Sequence, residues 1–214
     1  MKKLAKLTSS FAFAALCAAF STGSVAKAET LKEKNPAPKA GEQVLMTAEL
    51  PLATGGTWTG GDAMPLGGPN PIDETKTETL KFWFFLPSNE SAKTDAGFPL
   101  MLFLHGAGER GDNPEKVKIH GPAMICSKPE KAKDWPFLTV SPQCPGVRFW
   151  SPAQLRVLID QICENYPVDR SRIYVTGLSM GGFIKGTVSG FIVYSGTIEA
   201  MALISASMLS SFAL

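Results

Sequence analysis

The chain has 214 residues, which sets one domain as the expectation and two as the ceiling. Hydrophobic residues make up 44% and charged residues 19%, a globular balance that argues against wholesale disorder. The formal charge of +2 falls to −2 once a leader carrying Lys2, Lys3, Lys6 and Lys27 and no acid is set aside, which argues against a basic nucleic-acid binder.

The leader comes first in the chain. Lys2, Lys3 and Lys6 form a positive start, Phe11 to Phe20 is a ten-residue apolar run, and Ala26-Lys27-Ala28 is a small-x-small cleavage site. These three parts in order predict a secretory signal peptide over 1–28, too short in its apolar run to remain as a membrane span. Leu16 before Cys17 is too bulky for lipoprotein processing. The expected destination is periplasmic or secreted. The remaining 186 residues start near Glu29 and suffice for a substantial core.

Residues 29–78 read as a loop-rich N-terminal extension. Pro36 and Pro38 mark a flexible start, and 42–50 (EQVLMTAEL) predicts a first strand. Residues 55–71 hold six Gly and three Pro, so a long loop is expected. Order returns at Glu78. Thr79 to Leu86 (TLKFWFFL) predicts a strand stopped by Pro87, and Ser88 to Gly97 a polar turn. Phe98 to Leu104 (FPLMLFL) is an unbroken apolar run, as in a strand covered on both faces. His105 to Glu115 is a polar loop, and Phe137 to Ser141 a short buried strand. Ser151 then caps a helix with Pro152 at its first position and Leu155, Leu158, Ile159 and Ile162 on one face. Asp169 and Arg170 read as a turn before the strand Arg172 to Thr176. This alternation over 79–182 predicts an α/β domain: a mostly parallel sheet with flanking helices.

Three cysteines lie outside the leader. Cys126 and Cys144 flank a predicted strand and are candidates for a bridge, whereas Cys163 sits in the helical pattern as a buried thiol. With so few Cys and His, neither a structural zinc cluster nor any other metal or organic cofactor is expected.

The strand RIYVT runs straight into Gly177-Leu178-Ser179-Met180-Gly181, a G-x-S-x-G pattern. Such spacing suits a sharp strand-to-helix turn that lifts a serine hydroxyl out of a sheet. The flanking Gly177 and Gly181 make room, and the new helix aims its N-terminus at the reaction centre. Ser179 is therefore the candidate nucleophile. A second element, His105-Gly106-Ala107-Gly108, follows the buried strand ending at Leu104; its small residues let main chain approach a substrate carbonyl. The N–H groups of Ala107 and Met180 are the natural oxyanion donors, with His105 shaping the loop through local hydrogen bonds.

LFLHGAGERGDN (102–113), VSPQCPG (140–146) with Trp150 after it, and VDRSRIYVTGLSMGG (168–182) resemble, in that order, the secreted esterases of the α/β-hydrolase superfamily. The resemblance is to the phospholipase/carboxylesterase and dienelactone-hydrolase-like group, near polyhydroxybutyrate-depolymerase-like, feruloyl and acetyl-xylan esterases. It implies a carboxylic-ester hydrolase working through an acyl-enzyme on Ser179, without cofactor, on a small-molecule or polymer ester. It also implies that Glu109, Arg110 and Asp112 line the site entrance.

The triad order of this fold is Ser, then an acid, then His. The 35 residues after Ser179 contain one acid, Glu199, and no His; both His residues, His105 and His120, precede the nucleophile. The tail 183–214 is apolar with only Lys185 and Glu199 charged. Three readings stay open: a frameshift or truncation near codon 183, a shortened inactive homologue, or His120 acting as base in a rearranged site. Two other functions compete. Gly106, Gly108 and Gly111 also spell G-x-G-x-x-G, but no helix is expected to open there. An inactive secreted binding protein on the hydrolase scaffold would use Trp58, Trp83, Trp135 and Trp150 as a gripping surface.

Overall fold

Alternating burial of Met46, Ala48 and Leu50 along one stretch, beside a second stretch that is apolar at its end, produces the first unit of the fold. Strands β1 (Gln43–Ala53) and β2 (Ile72–Phe85) pair antiparallel, with Gln43 opposite Phe85 and Ala53 opposite Ile72. In the computed structural model the described residues are 30–54, 72–146 and 148–182. The predicted leader, the Gly/Pro-rich stretch 55–71 with Trp58, and the tail 183–214 lie outside the described residues.

Strand β2 begins six residues before the expected resumption of order at Glu78. Its first half (IDETKTE) is mostly exposed, so it carries no apolar alternation to announce a strand. It is held by main-chain pairing with Leu50 to Ala53 of β1. Residues 29–78 therefore contribute all of β1 and the first half of β2 to the sheet.

Three shorter strands follow: β3 (Phe98–Leu104), β4 (Leu138–Pro142) and β5 (Val168–Gly177). The described sheet runs β1-β2-β4-β3-β5. β3 is parallel to both β4 and β5, whereas β2 is antiparallel to β4. The sheet is thus mixed, where a mostly parallel one was expected. The hairpin fixes β1 and β2 in opposite directions, and it is β2 that docks on β4.

All seven residues of β3 are buried because both faces of the sheet are covered. The described helices are α1 (Leu31–Lys34), α2 (Gly121–Cys126), α3 (Pro129–Ala132) and α4 (Pro152–Asn165); Leu100, Leu102 and Leu104 pack with Leu155, Leu158, Ile159 and Ile162 of α4. Met101 and Phe103 face the other way. Met101 packs with Ile125 and Cys126 of the short helix before β4 (Gly121–Cys126) and with Trp135; Phe103 packs with Val117 and Ala123. Each such fully buried side chain stabilises by roughly 1.5–3 kcal/mol. α4 starts where the sequence indicates, with the Ser151 hydroxyl accepting from the Gln154 N–H and Pro152 in the first turn.

The two-faced core also corrects the cysteine expectation. Cys126 belongs to the cluster on one face and Cys144 to that on the other, so the strand between them separates them, and both are free thiols. Burial pushes each thiol up to about 12, which makes both poor nucleophiles.

Asp169 and Arg170 lie inside β5 and do not form a separate turn. The irregularity appears in the ladder instead: Phe98 pairs with Val168 but Leu100 with Ile173. Asp169 fills that bulge. Its carboxylate accepts from the Ser171 N–H at 3.0 Å, the Ser171 hydroxyl at 2.6 Å and Arg172 Nε at 2.7 Å. Arg172 in turn donates to the carbonyls of Ala92 and Gly97, tying the approach to β3 onto β5. These hydrogen bonds, those of Ser171 foremost, hold the Asp169 carboxyl at about 2. Asp169→Ala is expected to cost about 2 kcal/mol at neutral pH. Because this pKa is depressed in the fold, the contribution is full above the ordinary value of 3.8 and is lost as pH falls toward about 2. Urea unfolding of parent and variant at pH 7 and in acid checks this, the gap closing in acid.

Candidate active site

β3 and β5 end side by side, Leu104 opposite Gly177. From β3 the chain crosses to the face carrying Phe103 and Val117. From β5 it turns toward the α4 side, where Met180 is fully buried in the core. Connections that leave neighbouring strand ends for opposite faces open a crevice, the usual position of ligands in α/β sheets.

At this point the backbone is strained. Ser179 has φ +48°, and it is the one non-glycine residue with positive φ among the described residues. That conformation costs a residue with a side chain roughly 1–2 kcal/mol. Two glycines allow it. A Cβ on Gly177 would collide with the Gly181 carbonyl group, and a Cβ on Gly181 would strike the Leu104 carbonyl oxygen. The Leu178 N–H donates to that same Leu104 oxygen at 3.0 Å, and the Gly181 N–H to the Leu178 carbonyl at 2.9 Å. The result is a strand, a tight turn and a helical turn opening at Met180, with Ser179 exposed at the apex.

His105 lies directly beyond β3 and is fully buried. Its Nδ1 donates to the Gly106 carbonyl at 2.7 Å, and its Nε2 accepts the Cys144 N–H at 2.9 Å. Trp150 packs edge-on against the ring at 4.8 Å between centroids and donates Nε1–H to the His105 carbonyl at 3.1 Å. Burial lowers the pKa of the imidazole, so the ring stays neutral, as acceptance at Nε2 requires. Gly106 C=O and Ala107 N–H belong to one planar peptide unit, so the His105 bond also sets the direction of the Ala107 N–H.

Ala107 and Met180 each stand at the first position of a helical turn, where N–H groups have no partner within the turn. The two turns come close: a Cβ on Gly106 would sit 3.5 Å from both the Ser179 Cβ and the Leu178 carbonyl oxygen. Gly106 is buried, and any side chain there would intrude on the elbow. Gly108 differs, since a Cβ there meets nothing within 4 Å and would point into open space.

The loop after the Ala107–Glu109 turn is pinned from outside. Arg110 donates Nε–H to the Ala107 carbonyl at 3.0 Å and Nη1–H to the Arg148 carbonyl at 3.2 Å. Arg148 reaches both Glu78 oxygens at 2.6 Å, and Gln154 of α4 bonds the same carboxylate. Gln143 donates to the Glu109 carbonyl at 2.7 Å. Sequence reasoning placed Glu109, Arg110 and Asp112 together at the entrance; Asp112 is exposed, and Glu109 and Arg110 are half-buried. It also missed the Cys144 N–H as the partner of His105. The signal available was positional: VSPQCPG follows a parallel strand beside β3, so its first loop residues must meet the β3 loop.

Among the described residues the imidazoles are His105, with both ring nitrogens engaged, and the exposed His120, whose Nε2 lies 3.7 Å from Glu109 Oε1. Trp83, Trp135 and Trp150 are all buried, so none of the three forms a gripping surface. Between Gly106 and Gly111 the chain forms a short 3-10 turn, Ala107–Glu109, where a dinucleotide fingerprint would open an α-helix.

No family model and no curated protein matches the chain. Several solved structures are similar to part of it. A thermostable esterase is 29% identical, matching 60% of this chain and 38% of its own, with TM-score 0.43. An acetyl xylan esterase from Aspergillus awamori is 15% identical over 61% of this chain and 49% of its own, TM-score 0.43. A ferulic acid esterase is 16% identical over 75% of this chain and 57% of its own, TM-score 0.42. The match therefore spans between 38% and 57% of the length of these structures.

Proposed function

We propose that this chain is an exported ester-hydrolase scaffold of the α/β-hydrolase type, in which Ser179 is the nucleophile and the Ala107 and Met180 N–H groups take the oxyanion. The observation that carries the reading is the backbone of Ser179. A left-handed serine, held between two glycines that cannot accept a Cβ, pushes its hydroxyl to the exposed apex beside the His105–Gly108 loop. In the reaction, Ser179 Oγ bonds the ester carbonyl carbon, the alcohol leaves, and water then releases the acid. Small-molecule or polymer carboxylic esters are the substrate class, and no cofactor takes part.

The attack also needs a proton acceptor for the Ser179 hydroxyl. His105 is occupied at both nitrogens, His120 faces Glu109, and no His follows Ser179 in the 214 residues. Turnover by this chain should therefore stay at the residual level left by oxyanion donors and binding, roughly 10³–10⁴ over water. Added imidazole should substitute for the base. With a fluorophosphonate ester, Ser179 Oγ bonds phosphorus, fluoride leaves, and imidazole takes the proton. The expected result is imidazole-dependent addition of one phosphonyl group, mapped to Ser179 by mass spectrometry and absent from Ser179→Ala. Addition at other serines, or none with imidazole present, would overturn the reading. The competing reading, an inactive binding protein, lacks the aromatic surface it calls for at Trp83, Trp135 and Trp150.

A further inference from the structure

The carboxylate of Glu109 occupies an unusual position. A Cβ on Gly106 would sit 3.0 Å from Glu109 Oε2 and 3.5 Å from the Ser179 Cβ. The sum of these two distances places Glu109 Oε2 no more than about 6.5 Å from the Cβ of the candidate nucleophile. The side chain is only 15% exposed. Oε2 is buried with no hydrogen-bond partner among the described residues, and Oε1 has the His120 imidazole at 3.7 Å.

Arg110 follows in sequence, but its Nε and Nη1 are turned onto the carbonyls of Ala107 and Arg148. The backbone of Glu109 is fixed independently, by the 3-10 turn and by Gln143 donating to its carbonyl. The backbone of this residue is thus held beside the elbow, and its Oε2 is left without a hydrogen-bond partner among the described residues.

We propose that Glu109 is a specificity-determining residue that favours esters carrying an ammonium or other cationic group near the reacting carbonyl, and disfavours esters carrying a carboxylate there. The proposal rests on Ser179 marking the reacting centre. A full charge at this separation, in a partly buried crevice, biases opposite-charge over like-charge ligands by about tenfold or more. Its sign is opposite to what oxyanion binding alone would favour, so the effect is separable from the oxyanion donors.

Two measurements test it. The first compares two fluorophosphonates identical except for a terminal ammonium or carboxylate, reacted with the chain in the presence of imidazole. The parent should label at Ser179 about tenfold faster with the ammonium probe. Glu109→Gln, which keeps the shape and the backbone bond, should bring the ratio to within about twofold. Asp134→Asn, a change at an exposed acid before β4, should leave the ratio as in the parent. The second measures equilibrium binding of the matching unreactive phosphonate diesters to Ser179→Ala, with and without Glu109→Gln. A preference that survives Glu109→Gln in either measurement, or no preference in the Ser179→Ala chain, overturns the proposal. If the parent fails to label but the binding preference still depends on Glu109, the nucleophile assignment falls and the Glu109 site stands.

Discussion

Gly181→Ala is expected to destabilise the chain by about 3 kcal/mol or more, a large value for the addition of one methyl group. The reason is what the new Cβ would strike. It lands on the carbonyl oxygen of Leu104, a main-chain atom at the end of strand β3, which is paired on both edges and cannot rotate aside as a side chain would. That oxygen already accepts the Leu178 N–H, so moving it breaks the bond that closes the elbow. Gly108→Ala is the matched control, because its Cβ meets nothing within 4 Å; it should shift stability by no more than about 0.5 kcal/mol. Urea unfolding reads both, and the prediction requires a lowered midpoint with an unchanged slope. If Gly181→Ala unfolded at the parent's midpoint, the close approach of β3 and the elbow would be wrong.

The second large effect is expected at His105. His105→Phe keeps the ring volume but strands two buried groups, the Cys144 N–H and the Gly106 carbonyl. At about 1–3 kcal/mol for each unsatisfied group, the variant should lose about 3 kcal/mol. The loss should also change the pH dependence. Burial lowers the pKa of the folded imidazole from its ordinary 6.5, so below that pH the unfolded chain binds a proton that the folded chain refuses. Stability from this residue is therefore full above about pH 6.5 and falls as the solution is acidified, by at most about 1.4 kcal/mol per pH unit. Unfolding free energies between pH 7.5 and 5 should slope downward in the parent and more weakly in His105→Phe. Equal slopes would show that His105 takes up its proton in the folded chain as readily as in the unfolded one, contrary to its burial and its acceptance of the Cys144 N–H.

The sequence announces a feature of this fold only where several demands fall on the same residues. FPLMLFL reads as a strand covered on both faces because both faces contribute to burial, and the structure buries all seven residues. Ser151-Pro152 reads as a helix start because cap chemistry is local. The elbow reads from five residues because its glycines answer to atoms close in space, in Gly181 itself and in Leu104. The first half of β2 gives no such signal: IDETKTE is held by main-chain pairing, to which side-chain pattern is blind. Asp169-Arg170 is ambiguous for a related reason, since an aspartate that captures the Ser171 N–H looks alike in a turn and in a bulge. The antiparallel docking of β2 on β4 and the separation of Cys126 from Cys144 depend on which element lands on which face. Neighbouring residues carry no trace of that. Glu109 is the extreme case, for its closeness to Ser179 joins segments seventy positions apart.

The strand order bears on how the chain reaches this state. β1 and β2 can close as a hairpin as soon as both are made. The next strand, β3, is the most apolar of all, yet it has no edge on that hairpin to join: β4, made later, must enter between β2 and β3. The other side of β3 waits longer still, for β5. During synthesis FPLMLFL therefore stays unpaired until at least Leu138 has emerged, and it is not closed on both edges until Gly177. Long-range parallel pairing of this sort is slow, and a bare apolar strand is the kind of segment that holding factors engage. The polar 3-10 turns and short helices between Ala107 and Ala132 separate β3 from its first partner. They set the length of that vulnerable interval.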